Sequence, residues 1–350
     1  MERKSLAPLK GLVPEDDYLL HQLPESFAVS HSDSPKVFER LYFNLHDRHG
    51  KLLMVAGFGV FPNASVADAY VVVRDAAAQR NVRLARELGG SRLDTSVGPL
   101  KLSLLEPMQR WRLQMEETEG ISFDVTFEAR SVAYSVGIIR FPPETAFSHY
   151  NQAGTYSGRL TIDGESVEDG GWIGQRDHSW GLRRATEGNG LHYWLISHFE
   201  DRTVMVSYNE TRQHEVNFCE GAVMFYDERP PIAVTDLRHE LELAENRLQA
   251  HRGRFKVLCE DGEELAMSFE PTLGDLYMSG CGYGGWQGQH RGELHVEHER
   301  WPGDAMPVLK EQSFTTVDQL AAFECGGERG VGVLEYGISR SSSYSYRPRW

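Results

Sequence analysis

Gln109-Arg-Trp-Arg-Leu-Gln-Met-Glu116 and Ile121-Ser-Phe-Asp-Val-Thr-Phe-Glu128 decide the fold class. In the first, Trp111, Leu113 and Met115 alternate with Arg110, Arg112, Gln114 and Glu116. In the second, Ile121, Phe123, Val125 and Phe127 fall on one face. A period of two is the signature of a half-buried antiparallel strand, because successive side chains point to opposite faces. Gly120 between the two marks a hairpin turn.

Outward from this hairpin, further strands are expected at 37–45, 52–61, 69–74, 81–85, 98–105 and 158–162. The second half continues with 192–198, 203–208, 221–226, 254–259, 264–269, 291–298 and 332–338. Turn signals stand between them at Arg48-His-Gly50, Asp163-Gly164 and Asp261-Gly262. Many short strands at close spacing predict an all-β chain of sandwiches or barrels. One short helix is expected at 317–323, with a hydroxyl N-cap from Thr315-Thr316.

The chain has 350 residues, 36 Lys+Arg against 51 Asp+Glu, and a net charge of -15. That length allows two domains, and the sequence divides at Glu187-Gly-Asn-Gly190 into residues 12–184 and 185–340. The acidic balance offers no basic patch for phosphates, which argues against nucleic-acid binding. No apolar run is long enough for a membrane-spanning helix, and the first 20 residues show no signal-peptide core. Cys219, Cys259, Cys281 and Cys325 have no CxxC spacing and read as reduced thiols of a cytoplasmic protein. Oligomeric state is left open.

The densest polar segment is Gly174-Gln-Arg-Asp-His-Ser-Trp-Gly-Leu-Arg183. Asp177 beside His178 offers an acid and its orienting partner. In a regular strand these neighbours face opposite ways, so a shared pocket requires a bulge or turn. The competing reading is a structural corner, with Arg176 or Arg183 paired to Asp177 and Trp180 plugging a barrel end. His149 and Gln152 form a second polar cluster. In a third, His192, Trp194, Ile196 and His198 share one strand face, and Tyr208 ends the next strand. Metal binding by His290, Glu293, His295 and Glu297 is conceivable, although their spacing is not HExxH. No GxSxG elbow, P-loop or complete dinucleotide fingerprint occurs.

The stretch from His149 to Arg183 resembles the carotenoid 1,2-hydratase (hydroxyneurosporene synthase) and AttH-like superfamily. The resemblance rests on His149 with Gln152, Ile162-Asp-Gly164, and Gly174-Gln-Arg-Asp-His-Ser-Trp-Gly181, where hydratase relatives carry an Asp-His-x-Trp-Gly element. Gly288-x-x-Arg-Gly-Glu-Leu294 and Gly332-Val-Leu-Glu-Tyr-Gly337 resemble an uncharacterised branch of it. The resemblance implies two packed lipocalin-like antiparallel β-barrels with a ligand cavity near their junction. It also implies lyase or isomerase chemistry on a hydrophobic terpenoid or aromatic small molecule, with no cofactor. Asp177 and His178 would transfer protons. Arg176, Trp180, His149, Gln152, His192, Trp194, Tyr208 and Trp286 would line the substrate. The alternatives are a non-catalytic carrier of a hydrophobic ligand and a metal-dependent enzyme.

Overall fold

The computed structural model describes residues 12–19, 21, 33–91, 93–141, 145–168, 170–182, 188–244, 249–303, 314 and 316–350. The 184/185 division and Arg183 lie outside them. Almost every regular element among the described residues is a strand, and every pairing is antiparallel.

The deciding hairpin forms as Arg110–Thr118 and Ile121–Ala129, with Trp111, Leu113, Met115, Phe123, Val125 and Phe127 packed in one core. These strands belong to a barrel-like sheet of 13 strands. Its backbone order runs from Leu294–Pro302 through Ala78–Glu87, Val66–Arg74, Leu53–Phe61, Val37–His46, Ile173–Leu182 and Thr145–Ile162 to the hairpin. Leu294–Pro302 comes late in the chain yet pairs with Ala78–Glu87, so the later half contributes a strand to the first sheet.

The second sheet has nine strands. Asn189–His198, Arg202–Thr211, Val216–Phe225, Ile232–Leu243, Ala250–Cys259 and Glu264–Pro271 follow as a meander. Thr316–Cys325 and Glu328–Ile338 return, and Glu264–Pro271 pairs with Thr316–Cys325 to close the ring. The helix expected at 317–323 is therefore a strand. Val317, Ala321 and Phe323 fill the second barrel while Leu320 packs outside it, a two-residue alternation that buries both faces.

Burial explains where alternation fades. Leu53–Phe61 and Val66–Arg74 are buried at every residue. Met54, Ala56, Phe58 and Val60 fill the first barrel. Leu53, Val55 and Phe61 face outward with Tyr42, Trp194, Ile196, Met205, Leu320 and Val333 in a third core between the barrels. A strand with apolar surroundings on both faces needs no polar face.

Gly174 shows how tight this wall is. A Cβ there would lie 2.1 Å from the Asn44 carbonyl oxygen on the paired strand, and backbone cannot yield cheaply. Gly174→Ala is expected to lower unfolding free energy by about 1–3 kcal/mol, the usual cost of overpacking. Gly170→Ala, with nothing near its added methyl, should stay within about 0.5 kcal/mol of the parent. Denaturant unfolding of both variants checks the contrast.

Candidate functional site

Ile173–Leu182 pairs in unbroken register with Val37–His46 and Thr145–Ile162. With no bulge, Asp177 and His178 must point to opposite faces. His178 enters the first barrel and Asp177 the junction, so the acid and its expected partner do not share a pocket. Arg176, two residues from His178, also turns inward and pairs with Asp17 rather than Asp177.

Inside the first barrel, His178, Arg176, Gln152, Trp180, Tyr150 and Glu39 meet the segment carrying Asp16, Asp17 and His21. Asp17 is fully buried. It accepts from Arg176 Nη1 at 2.5 Å, Arg176 Nη2 at 3.2 Å, Tyr150 OH at 2.7 Å and Trp111 Nε1 at 3.3 Å, and also from the Met108 amide. Arg176 Nε donates to Gln152 Oε1 at 2.9 Å. His21 stacks on Trp180 with ring centroids 3.6 Å apart. Both His21 and His178 contact Glu39 Oε1, at 2.6 and 2.9 Å. Burial opposes charge on Glu39, but hydrogen bonds from His178 and His21 prevail and hold its pKa below the usual value. Burial opposes charge on His21 too, and the Glu39 and Asp16 carboxylates raise it in spite of that.

The junction holds a different set. Tyr42 and Asp177 are cross-strand partners on the first barrel, and His149 Nδ1 lies 3.4 Å from Asp177 Oδ2. On the second barrel Asp318 and Glu335 are cross-strand partners, and Glu335 pairs onward with Trp194. Tyr42 OH donates across the junction to Asp318 Oδ2 at 3.0 Å, and its ring lies 5.1 Å from Trp194. His192 Nε2 is 3.0 Å from Glu335 Oε1.

Asp318 is fully buried. Desolvation first, then the charge of Glu335, lift its pKa well above the ordinary carboxylate value, with the Tyr42 hydrogen bond opposing. The neighbouring Glu335 charge disfavours a second negative charge on Asp318. Burial also keeps His46, lowered to about 4, and His198, lowered well below normal, uncharged where their rings meet 5.5 Å apart.

Buried polar atoms without a protein partner gather here. They include His149 Nε2, both amide atoms of Asn151 and of Gln175, Trp194 Nε1, His46 Nε2, His198 Nε2 and Asp318 Oδ1. Such atoms are rare in protein interiors, and each costs about 1–3 kcal/mol.

The expected site residues therefore separate. Asp177, His149, His192 and Trp194 meet at the junction, and Arg176, Gln152, His178 and Trp180 line the first barrel. Tyr208 lies inside the second barrel, donating to Glu210 at 2.8 Å beside Tyr193 and His239. Trp286 sits by the Leu294–Pro302 strand, donating to Glu297 at 3.0 Å under the Arg291 guanidinium. His290 pairs with Glu87 and His295 with Glu297, both exposed, and these residues do not converge as a metal site. Tyr42, Asp318 and Glu335 had not been singled out. Glu335 lay in the quoted Gly332–Gly337 motif, and Asp318 was a charge in an apolar strand misread as helix.

Residues 12–345 match the model of DUF8625, described as a family of unknown function. The chain belongs to that family. Comparison with curated proteins gives no significant match. Among solved structures, an AttH-like protein from Nitrosomonas europaea is similar with a TM-score of 0.61 and 14% identity, over 95% of this chain and 99% of that one. Kievitone hydratase from Nectria haematococca is similar with a TM-score of 0.56 and 11% identity, over 96% of this chain and 98% of that one. At these identities the likeness is one of fold, and it is the two-barrel, lipocalin-like fold that the sequence resemblance implied.

Asp318 also makes a pH prediction. A carboxyl whose folded pKa is raised contributes stability that is complete below its unfolded value, 3.8, and is lost as pH rises through the folded value. Relative to Asp318→Asn, the parent should lose up to about 1.4 kcal/mol per pH unit above that threshold. Urea unfolding of both proteins between pH 4 and 8 checks it (on the order of one proton taken up or released); parallel curves would remove the buried proton.

Proposed function

We propose that this chain is a proton-transfer enzyme, a hydro-lyase or isomerase, that works on a hydrophobic small molecule held between the two barrels. The observation that carries this reading is Asp318, a fully buried carboxyl beside Glu335 at a wall of unpartnered polar atoms. A carboxyl whose pKa is raised holds its proton to higher pH and is suited to act as a general acid. Kievitone hydratase, with the same fold, carries hydratase in its name, which supports water addition as the reaction type.

Asp318 gives its proton to one carbon of an alkene. The π electrons form the new C–H bond and leave a cation on the neighbouring carbon. The Trp194 and Tyr42 rings face that charge and lower its energy by cation–π attraction. In hydration, water adds to the cation, and the proton it sheds passes to the His149–Asp177 pair, which returns it to solvent before the next turnover. In isomerisation the same pair takes a proton from an adjacent carbon instead. Glu335, oriented by His192, reprotonates Asp318 from solvent. Leu320, Ile196 and Val333 supply apolar wall for the substrate. No step requires a bound cofactor. The four cysteines are free thiols and buried, which supports a reducing, cytoplasmic setting.

Pooled hydrophobic alkenes incubated with the chain in oxygen-labelled water test the reading by mass spectrometry. Asp318→Asn should lower kcat/KM by about 10²–10⁴-fold with unchanged circular dichroism. Asp177→Asn should lower kcat as well. The parent rate should fall as pH rises through the raised Asp318 value, because only the protonated acid works. Full activity in Asp318→Asn, or a ligand retained unchanged, would refute the assignment and favour a carrier.

A further inference from the structure

The first barrel contains a second chemical site that the proton-transfer reading does not use. We infer that His21, Glu39 and His178 bind one divalent transition-metal ion, zinc by donor type, that fastens the N-terminal segment onto the first barrel.

The donors converge from three separate parts of the chain, and their ligand atoms all lie within 4.8 Å of one another. Glu39 Oε1 faces His21 Nδ1 at 2.6 Å and His178 Nε2 at 2.9 Å. Two imidazoles and a carboxylate are a common zinc donor set. With metal–ligand bonds of about 2.0–2.2 Å, tetrahedral ligands stand roughly 3.3 Å apart. The two Glu39–histidine spacings reach that by an opening of less than about 1 Å.

The outer atoms are arranged as a metal site requires. A ligating histidine holds its other ring nitrogen on an oxygen, which sets the tautomer and aims the lone pair inward. His21 Nε2 lies 3.1 Å from Asp16 Oδ1. His178 Nδ1 lies 3.4 Å from Tyr150 OH. Tyr150 OH donates to Asp17 Oδ1 and accepts from Arg176 Nη1 at 3.1 Å, which leaves its second lone pair to accept from His178 Nδ1. In that tautomer both inner nitrogens can turn lone pairs toward an ion held beside Glu39 Oε1.

Two further observations point the same way. Glu39 Oε2 is buried with no partner, and as the twin of Oε1 it is within reach of the same ion. Charge also balances. The 2+ ion offsets Glu39 and Asp16, while Asp17 is already matched by Arg176. Glu39 and His178 are fully buried, and three protein donors leave a fourth position for Glu39 Oε2 or a water molecule. The metal-free alternative is a chain of imidazole–carboxylate hydrogen bonds.

The test uses the full chain purified without chelator, assayed for zinc by elemental mass spectrometry. It is then stripped and titrated with Zn²⁺ and with Co²⁺ alone. The expected result is one ion per chain, a melting temperature raised by Zn²⁺, and Co²⁺ visible bands without thiolate charge transfer. Asp16→Asn should weaken binding by about 10–100-fold while leaving the three ligands in place. Glu39→Gln and His21→Ala should abolish it. His21→Ala keeps the test valid if Glu39→Gln fails to fold, because His21 lies outside the barrel strands. Absence of stoichiometric binding, undiminished binding in His21→Ala, or sulfur-to-cobalt bands would overturn the inference. None of these outcomes bears on Asp318, so the two sites are tested independently.

Discussion

The strands Val37–His46, Leu53–Phe61 and Ile173–Leu182, and the first half of Thr145–Ile162, lie between two interiors. Inward side chains fill the first barrel, and outward ones meet the second barrel across the junction. Most side chains on both faces are buried, so a polar group placed on this wall costs free energy unless it finds a partner. Both candidate sites follow from that constraint. They are the two sides of one wall, and the step from Asp177 to His178 crosses it.

The two sides solve the cost of burying carboxyl groups differently. In the first barrel, Asp17 is neutralised by Arg176 and surrounded by donors, and Glu39 stands between two imidazoles. For Glu39 the imidazoles prevail over burial and lower its pKa. At the junction Asp318 has a carboxylate neighbour and one phenol, and the proton stays. The same residue type is paired with a guanidinium on one side and set against a carboxylate on the other. Fold alone does not select which of these is catalytic; the chemistry of each environment does.

Legibility in the sequence followed solvent exposure. Arg110–Thr118 and Ile121–Ala129 have one wet face, so their alternation was plain and the all-β reading was sound. Thr316–Cys325 has little wet face over its first half, and its apolar run therefore reads as a helix in the sequence. The polar run from Gly174 to Gly181 was recognised as special. Its division between two sites was foreseeable only as a condition, because neighbour alternation holds when the register is unbroken and a bulge would have overturned it. His149, His192, Trp194 and Asp177 were named separately and meet at one junction.

What the sequence by itself determined is local: strand periodicity, turn positions, an acidic surface, and a motif dense enough to demand explanation. Those features depend on neighbours within a few residues, whose spacing the covalent chain fixes. The tertiary structure alone decided that Tyr42 reaches Asp318 across 276 positions, that Arg176 finds Asp17 across 159, and that His21 and His178 share Glu39. Such pairings depend on sheet register and on how two barrels pack. Register is set cooperatively by whole strands, so it leaves no mark at the individual residues it brings together.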